Sequence, residues 1–521
     1  MSVGVCCFQT ALHWCSGTHS GKVLAQRARH ISTSPIDSSV RQFVYALAKW
    51  QPCFPVHSSA VQIMSQPKEF YQCLLSMIRR AKRRLFISSL YIGSEDLELV
   101  NTLRASLVAN PALQVYMHLD YNRCTRPEPL STANLLLPLL QDFPDRVHVW
   151  LFRSPKLKGL MAKIMPPRFN EGWGGTWHAK IYGADDDVLI SGANLNTSYF
   201  TNRQDRYISF TGQPALAQYC FSFLQQTSTF SYSLLPSSSD KDQYVLHWPD
   251  EQTHPHHFEP KAQKLLTTLQ NGHITDASKS IETVLNDSDE KEADKPDVLV
   301  MPIIQAGQFD IREEERCLGL LFNQLSKGDF PPSATYSGPL MDLTSGYFGL
   351  YKPYQDLIVR SPVACRIVAA GPKANGFYGS KGVSGRIPEG YTVLERRFMK
   401  AVRAANREWT YDEGEQASGS GVQLSEWERK GWTYHAKGIW LRPTPLSNPV
   451  LTIFGSTNLN SRSANIDTEL SFVMVTTAPA LQERLAEEVD RLRAHGHAWQ
   501  GAERSVRPGS WVLASALCNR L

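Results

Sequence analysis

One block of residues occurs twice in this chain, and that repeat limits the fold to two related halves. Gly-Gly-Thr-Trp-His-Ala-Lys-Ile at 174–181 is followed by Ser-Gly-Ala-Asn-Leu-Asn at 191–196. Gly-Trp-Thr-Tyr-His-Ala-Lys-Gly at 431–438 is followed by Phe-Gly-Ser-Thr-Asn-Leu-Asn at 454–460. Matching Asn194 to Asn458 also matches Asn196 to Asn460 and Asp205 to Glu469, each carboxylate eleven positions past the first Asn. No other His-x-Lys triplet occurs. One such triplet carries almost no information. Two, each followed by Asn-Leu-Asn and then a carboxylate, mark a duplicated unit.

The same order of elements precedes each copy. Residues 68–83 pattern as a helix, 83–92 as a strand, 95–108 as a helix and 112–120 as a strand. In the second half 339–348, a short helical stretch and 364–371 follow in that order. The expected fold is α/β: two halves, each a mostly parallel sheet flanked by helices, related by a pseudo-twofold with the active site between them. Each His-Ala-Lys is expected on a strand, and Gly183 to Asp186 is expected to turn the first one back. The first half covers 66–234, and the second covers 298–521 with a C-terminal helix. Residues 235–297 read as a surface excursion and an acidic linker, because 276–297 carry eight acidic residues and three lysines.

The amino terminus has a different composition. Residues 1–36 contain no acidic residue but include Lys22, Arg27 and Arg29 among Ser, Thr and Ala, the pattern of a mitochondrial transit peptide. Residues 37–65 read as an N-terminal leader segment. The ten cysteines form no Cys-x-x-Cys pair and read as reduced packing residues. His254, His256 and His257 read as a solvated loop rather than a metal site. No stretch approaches about 18 consecutive apolar residues, so a spanning helix is not expected. The formal charge of +5 is too small to argue for nucleic acid.

On a strand, residues two apart share a face, so His178 with Lys180 and His435 with Lys437 would each point one way. If the halves meet, two imidazoles, two ammonium groups and the amides of Asn194 and Asn458 surround one pocket. Such a pocket suits the equatorial oxygens of a phosphodiester, whose charge the lysines neutralise without a metal. One neutral histidine attacks phosphorus; the other, protonated, serves the leaving oxygen and then activates an incoming hydroxyl. Asp205 and Glu469 are candidates to orient the imidazoles, with the pairing left open. Asn196, Asn460 and Ser456 are candidate substrate contacts. Arg123 and Arg126 are candidate phosphate ligands, as is Lys381 in the segment 371–391, which holds six glycines. Between Arg146 and Asn170 no acidic residue occurs, while Arg153, Lys156, Lys158, Lys163 and Arg168 alternate with apolar residues. That segment suits an anionic lipid surface.

These residues resemble the phospholipase D superfamily, whose His-x-Lys-x4-Asp motif is matched by His178, Lys180 and Asp185, and whose Gly-Ser-x-Asn is matched by Gly455 to Asn458. Arg442 stands where the second copy should carry the Asp, and Ser191-Gly192-Ala193-Asn194 departs from Gly-Ser-x-Asn. The family Asp is regarded as structural, so Arg442 weakens the motif more than the chemistry. Leu-Thr-Ser-Gly-Tyr-Phe at 343–348 and the run 374–391 are similar to the eukaryotic mitochondrial phosphatidylglycerophosphate synthases, over about residues 60–500. The resemblance implies transfer of a phosphatidyl group from CDP-diacylglycerol to sn-glycerol 3-phosphate at the matrix side of the mitochondrial inner membrane. It gives His178, Lys180 and Asp185 the active-site role, with His178 expected as nucleophile and His435 as acid/base. No obligatory cofactor is implied, and stimulation by a divalent cation is not readable from sequence. Two rivals remain: a hydrolase of the same superfamily acting on lipid or nucleic-acid phosphodiesters, and a non-catalytic membrane scaffold.

Overall fold

A computed structural model describes residues 36–127, 131–157, 174–237, 243–285, 295–327, 338–412 and 415–519. Almost all of the stretch expected to be a transit peptide, Lys158, Lys163 and Arg168 of the basic segment, and 286–294 of the acidic linker lie outside them. The described residues belong to one compact unit.

The repeat seen in the sequence is a repeat of sheet topology. In the first half Val147–Phe152, Gln114–Asp120 and Arg84–Ser88 run parallel. Ile181–Ala184, Asp187–Ser191 and Tyr207–Phe210 then continue the sheet antiparallel. In the second half Val422–Trp427, Ala364–Ala370 and Leu340–Ser345 are parallel. Gly438–Arg442, Leu451–Gly455 and Glu469–Thr476 continue that sheet antiparallel. The sheets are therefore mixed rather than mostly parallel. Helical crossovers join only the first three strands of each block; past the His-Ala-Lys segments the chain doubles back on itself, and such returns pair antiparallel.

Helices cover the outer face of each sheet. Pro67–Arg80 starts at a capping box between Gln66 and Glu69 and buries Phe70, Leu74, Leu75, Met77 and Ile78. The inner faces share one core, with Phe86, Ile181, Ile208 and Phe210 from the first sheet and Val300, Phe454, Phe472 and Met474 from the second. Each such side chain contributes roughly 1.5–3 kcal/mol on burial, so the halves are held together by their apolar layer. A buried ion pair crosses it: Arg206 grips Glu488 through Nε at 2.9 Å and Nη2 at 2.8 Å, with its guanidinium 3.8 Å over the Trp440 ring.

Two segments expected to be peripheral are built into the core. In 37–65, Ser38–Leu47 buries Val40, Phe43, Val44 and Leu47 in the second half. Phe54–Val56 then pairs with Val298–Ala306 at one edge of the second sheet, and Val61–Met64 pairs with Tyr207–Phe210 at one edge of the first. The acidic linker includes the helix Ser278–Leu285, which buries Ile281, Val284 and Leu285. Its charge run hid an i, i+3, i+4 apolar stripe. The excursion after Leu235 is a hairpin, Tyr232–Pro236 with Tyr244–His247, that extends the first sheet. Among the described residues no helix is long and apolar enough to cross a membrane.

Candidate active site

The two His-Ala-Lys segments do not lie in sheet strands; each is extended chain leading into one, with the strands starting at Ile181 and Gly438. Their backbones pair with the opposite half instead. His178 N–H donates to Thr468 O at 3.0 Å, and His435 N–H donates to Gln204 O at 2.8 Å. Trp177 forms a parallel bridge with Thr468, and Thr433–Tyr434 pairs parallel with Arg203–Gln204. Asp120, at the end of its strand, accepts Trp177 N–H at 3.0 Å and fixes the approach to His178. Every one of these cross-half contacts delivers a histidine to the segment just ahead of the other half's carboxylate.

That delivery decides the pairing left open by the sequence. His178 Nδ1 lies 2.8 Å from Glu469 Oε2, and His435 Nδ1 lies 2.7 Å from Asp205 Oδ2. Each imidazole is oriented by the carboxylate of the opposite half. Glu469 is itself fixed by hydrogen bonds from Ser456 Oγ and, at 2.6 Å, from Ser463 Oγ. Lys180 Nζ donates to His178 O at 2.6 Å, and Lys437 Nζ donates to His435 O at 2.8 Å and lies 3.8 Å from Asp205. Gly192 passes so close that an added Cβ would fall 2.5 Å from Asp205 Oδ1 and 2.9 Å from Lys437 Nζ.

Burial sets the protonation states. It depresses the His178 imidazole, with Glu469 opposing and Lys180 reinforcing the shift. It depresses His435 well below its ordinary value, and Lys437, Arg203, Lys180 and His178 push in the same direction. Burial lowers Lys180 to about 7 and Lys437 to about 8 against the pull of Glu469 and Asp205 respectively. It raises Asp205 to about 6, opposed by Lys437. Glu469 goes the other way: burial would raise it, but its contact with His178, the Lys180 charge and the Ser456 hydrogen bond hold it below the ordinary carboxylate range. The site is thus two neutral imidazoles, one firmly ionised carboxylate and two ammonium groups close to losing their protons.

The remaining expected residues separate into those at the site and those elsewhere. Asn194 donates to Tyr199 Oη at 3.1 Å, and that hydroxyl stands 3.5 Å from His435 Nε2. Asn458 Oδ1 is buried without a hydrogen-bond partner among the described residues. Asn196 and Asn460 act locally instead, as the N-caps of the helices Thr197–Thr201 and Ser461–Asn465. Ser456 holds Glu469 rather than facing a substrate. Asp185 is not at the site. It closes the hairpin at φ 53°, accepting N–H bonds from Lys82, Arg83 and Arg84 at 2.8, 2.8 and 3.1 Å. Five residues of extended chain separate it from Lys180 by about 16 Å. Arg442, its counterpart, is buried against Asp342 at 3.1 Å. Arg123 stacks 4.2 Å over Tyr91, Arg126 is half-buried beyond the helix Tyr121–Cys124, and Lys381 is exposed.

Tyr199, Arg203, Tyr347 and Ser463 are parts of the site that motif matching missed. Tyr347 sets its ring edge-on to His435 at 5.4 Å, and Arg203 lies 4.5 Å over the Tyr199 ring. Tyr199 and Ser463 occupy the same offset past the first Asn of each copy, as do Arg203 and Asp467. A comparison of the copies for differences instead of identities would have singled them out. Among the described residues no group of His, Cys, Asp and Glu is arranged to hold a metal ion.

No family model matches the chain. Curated proteins do. The chain is 34% identical over 478 residues to the CDP-diacylglycerol–glycerol-3-phosphate 3-phosphatidyltransferase of Schizosaccharomyces pombe, covering 85% of this chain and 90% of that one. It is 35% identical to the mitochondrial proteins of that name from Gallus gallus and Homo sapiens, over 85% of this chain and 79% and 78% of theirs. Among solved structures, phosphatidylserine synthase of Haemophilus influenzae superposes with a TM-score of 0.65 at 19% identity, over 93% of this chain and all of that one. That likeness concerns the fold.

Proposed function

The chain belongs to the family of CDP-diacylglycerol–glycerol-3-phosphate 3-phosphatidyltransferases, and from that premise we propose that its paired histidines move a phosphatidyl group from CDP-diacylglycerol to sn-glycerol 3-phosphate in two displacements. The observation that carries the reading is the crossed pairing of His178 with Glu469 and His435 with Asp205 around Lys180 and Lys437.

In the first displacement Nε2 of neutral His178 attacks the phosphatidyl phosphorus. The proton stays on Nδ1, which donates it to Glu469, whose negative charge stabilises the imidazolium as the N–P bond forms. The P–O bond to the nucleotide breaks and CMP departs. A phosphate monoester, with a second pKa near 6, is a fair leaving group without full protonation. In the second displacement the acceptor hydroxyl loses its proton to His435 and attacks phosphorus, and the N–P bond breaks to restore His178. A hydroxyl needs a base far more than CMP needs an acid, and the neutral state of His435 suits that step. The lysines hold the non-bridging oxygens throughout. His178 is the better nucleophile on access as well: its side chain is 11% exposed against 4% for His435.

The lipid substrate calls for a membrane surface. Trp511 and Val512 on the helix Pro508–Asn519 are exposed, as are Tyr378 and Val383. Arg386 approaches Gly509, and Arg397 lies 6.0 Å from the Trp511 ring. This apolar and cationic face supports peripheral docking on anionic lipid. A mitochondrial location is supported by the naming of the chicken and human relatives and by the acid-free stretch 1–36, and a place on the matrix side of the inner membrane completes the reading.

The test is release of CMP from CDP-diacylglycerol that depends on glycerol 3-phosphate, with the phosphatidylglycerophosphate product identified by mass. His178→Ala abolishes it while the thermal transition is retained. CMP release at the parental rate in that variant refutes the reading.

A further inference from the structure

The two copies oppose each other in charge at one position. Nine residues past Asn458 stands Asp467, and nine past Asn194 stands Arg203. Asp467 accepts from Thr176 Oγ1 at 2.9 Å and is neutralised by Arg462 at 2.7 Å. Arg203 makes the matching contact, Nε to Thr433 Oγ1 at 3.0 Å, yet no carboxylate among the described residues lies within ion-pair distance of it. The His435 side of the site therefore carries a half-buried guanidinium with no ion-pair partner among the described residues, only the more distant charge of Asp205, and a bound anion would satisfy it.

Its surroundings give that anion a shape. The guanidinium lies 4.5 Å over the Tyr199 ring, whose edge meets the His435 ring at 5.2 Å between centroids. Arg203 Nη2 and Tyr347 Oη converge on Gly376, where an added Cβ would fall 3.0 Å from each. Only a glycine lets the backbone of the six-glycine segment pass this close to the two donors, so it packs directly against the guanidinium and the phenol. An arginine fork with a neighbouring hydroxyl is suited to a phosphate monoester dianion.

We infer that Arg203 and Tyr347 hold the phosphate of the acceptor, presenting its hydroxyl to His435. The inference rests on the transferase reading above. Departing CMP carries a phosphate monoester too, but its phosphate bears the very oxygen that leaves phosphorus. Arg203 and His435 both lie against the Tyr199 ring, 4.5 and 5.2 Å from its centroid, so a phosphate held by Arg203 is set apart from the base, as the phosphate of glycerol 3-phosphate is set apart from its hydroxyl. Arg203 is in this view the residue that separates glycerol 3-phosphate from neutral hydroxyl acceptors.

The experiment compares the full chain with Arg203→Gln, Arg203→Lys and Tyr347→Phe in lipid–detergent micelles. Three rates are measured: transfer to glycerol 3-phosphate, transfer to glycerol, and incorporation of labelled CMP into CDP-diacylglycerol without an acceptor. For Arg203→Gln the ratio of kcat/KM between the two acceptors falls by about a hundredfold or more, as expected for a lost charge-assisted pair. Arg203→Lys and Tyr347→Phe lower it by about tenfold, and they keep the test open if Arg203→Gln fails to fold. A merely structural role would slow both acceptors alike and leave the ratio unchanged, overturning the inference. A larger rise in the CMP concentration needed for exchange than in KM for glycerol 3-phosphate assigns the site to the nucleotide and also overturns it. If the parental chain fails to use glycerol 3-phosphate at all, the transferase reading falls first and this inference with it.

Discussion

Exchanging each orienting carboxylate for its amide separates the two halves of the reaction. Glu469 is fully buried, and its Oε2 lies 2.8 Å from His178 Nδ1. Glu469→Gln keeps an acceptor oxygen for the imidazole and leaves Ser456 and Ser463 free to rotate and accept, so the ring orientation survives. What is lost is the charge. As Nε2 bonds to phosphorus the imidazole becomes cationic, and at an effective dielectric near 20 two unit charges about 4 Å apart attract by about 4 kcal/mol. At ~1.4 kcal/mol per tenfold, phosphohistidine formation slows by about a thousandfold. Asp205→Asn acts on the other imidazole and so on the second displacement: CMP is released in a burst and the phosphohistidine accumulates. Quenched-flow measurement with CDP-diacylglycerol labelled in the lipid phosphate follows both, since the adduct is stable in alkali and hydrolysed in acid. A loss of less than tenfold in the Glu469→Gln burst would refute the electrostatic argument. A burst lost in Asp205→Asn and kept in Glu469→Gln would exchange the roles of the two histidines.

Asp185→Ala strips three backbone donors of their acceptor and lowers stability by about 1–3 kcal/mol, read from denaturant unfolding; kcat for the folded fraction stays at the parental value because the residue is remote from the site. Arg206→Met leaves Glu488 buried without its ion-pair partner and costs about 3–5 kcal/mol, lowering the thermal transition far more than Arg403→Met, which removes only an exposed pair with Glu408. Lys180, at about 7, and Lys437, at about 8, lose their protons as pH rises through those values. A bound phosphate restores them, so calorimetric titration with CMP above about pH 8 takes up protons, and affinity falls as pH rises; proton release would contradict this. Trp511→Ser with Val512→Ser weakens binding to vesicles containing anionic lipid by at least about tenfold in flotation assays.

The sequence made the centre of the site legible because both copies spend the same residues there. His178 and His435, Lys180 and Lys437, and Asp205 and Glu469 are repeated, and repetition of chemistry-bearing side chains pointed to convergence. Repetition is also how it misled. Asn196 and Asn460 recur because each starts a short helix, a local requirement with the same signature as a shared ligand. Arg203 and Tyr199 were invisible for the opposite reason, since their counterparts Asp467 and Ser463 differ. Asp185 followed a family motif whose last member closes a hairpin instead of touching phosphate. The mixed sheet escaped because strand order past the His-Ala-Lys segments depends on tertiary pairing. Phe54–Val56 and Val61–Met64, three and four residues long, are too short to show alternation.

Those two short strands have a consequence for how the molecule is put together. They leave the ribosome well before their partners, and one waits for Tyr207–Phe210 and the other for Val298–Ala306. Both ladders span long sequence separations, so the amino-terminal strap closes late and slowly. Until it does, each sheet presents a bare rim open to mispairing. Expressing 66–234 and 298–521 as separate pieces would leave both rims open permanently. The strap is thus the clasp of the whole assembly, and removing Phe54–Val56 and Val61–Met64 should compromise a catalytic centre made from residues more than a hundred positions downstream.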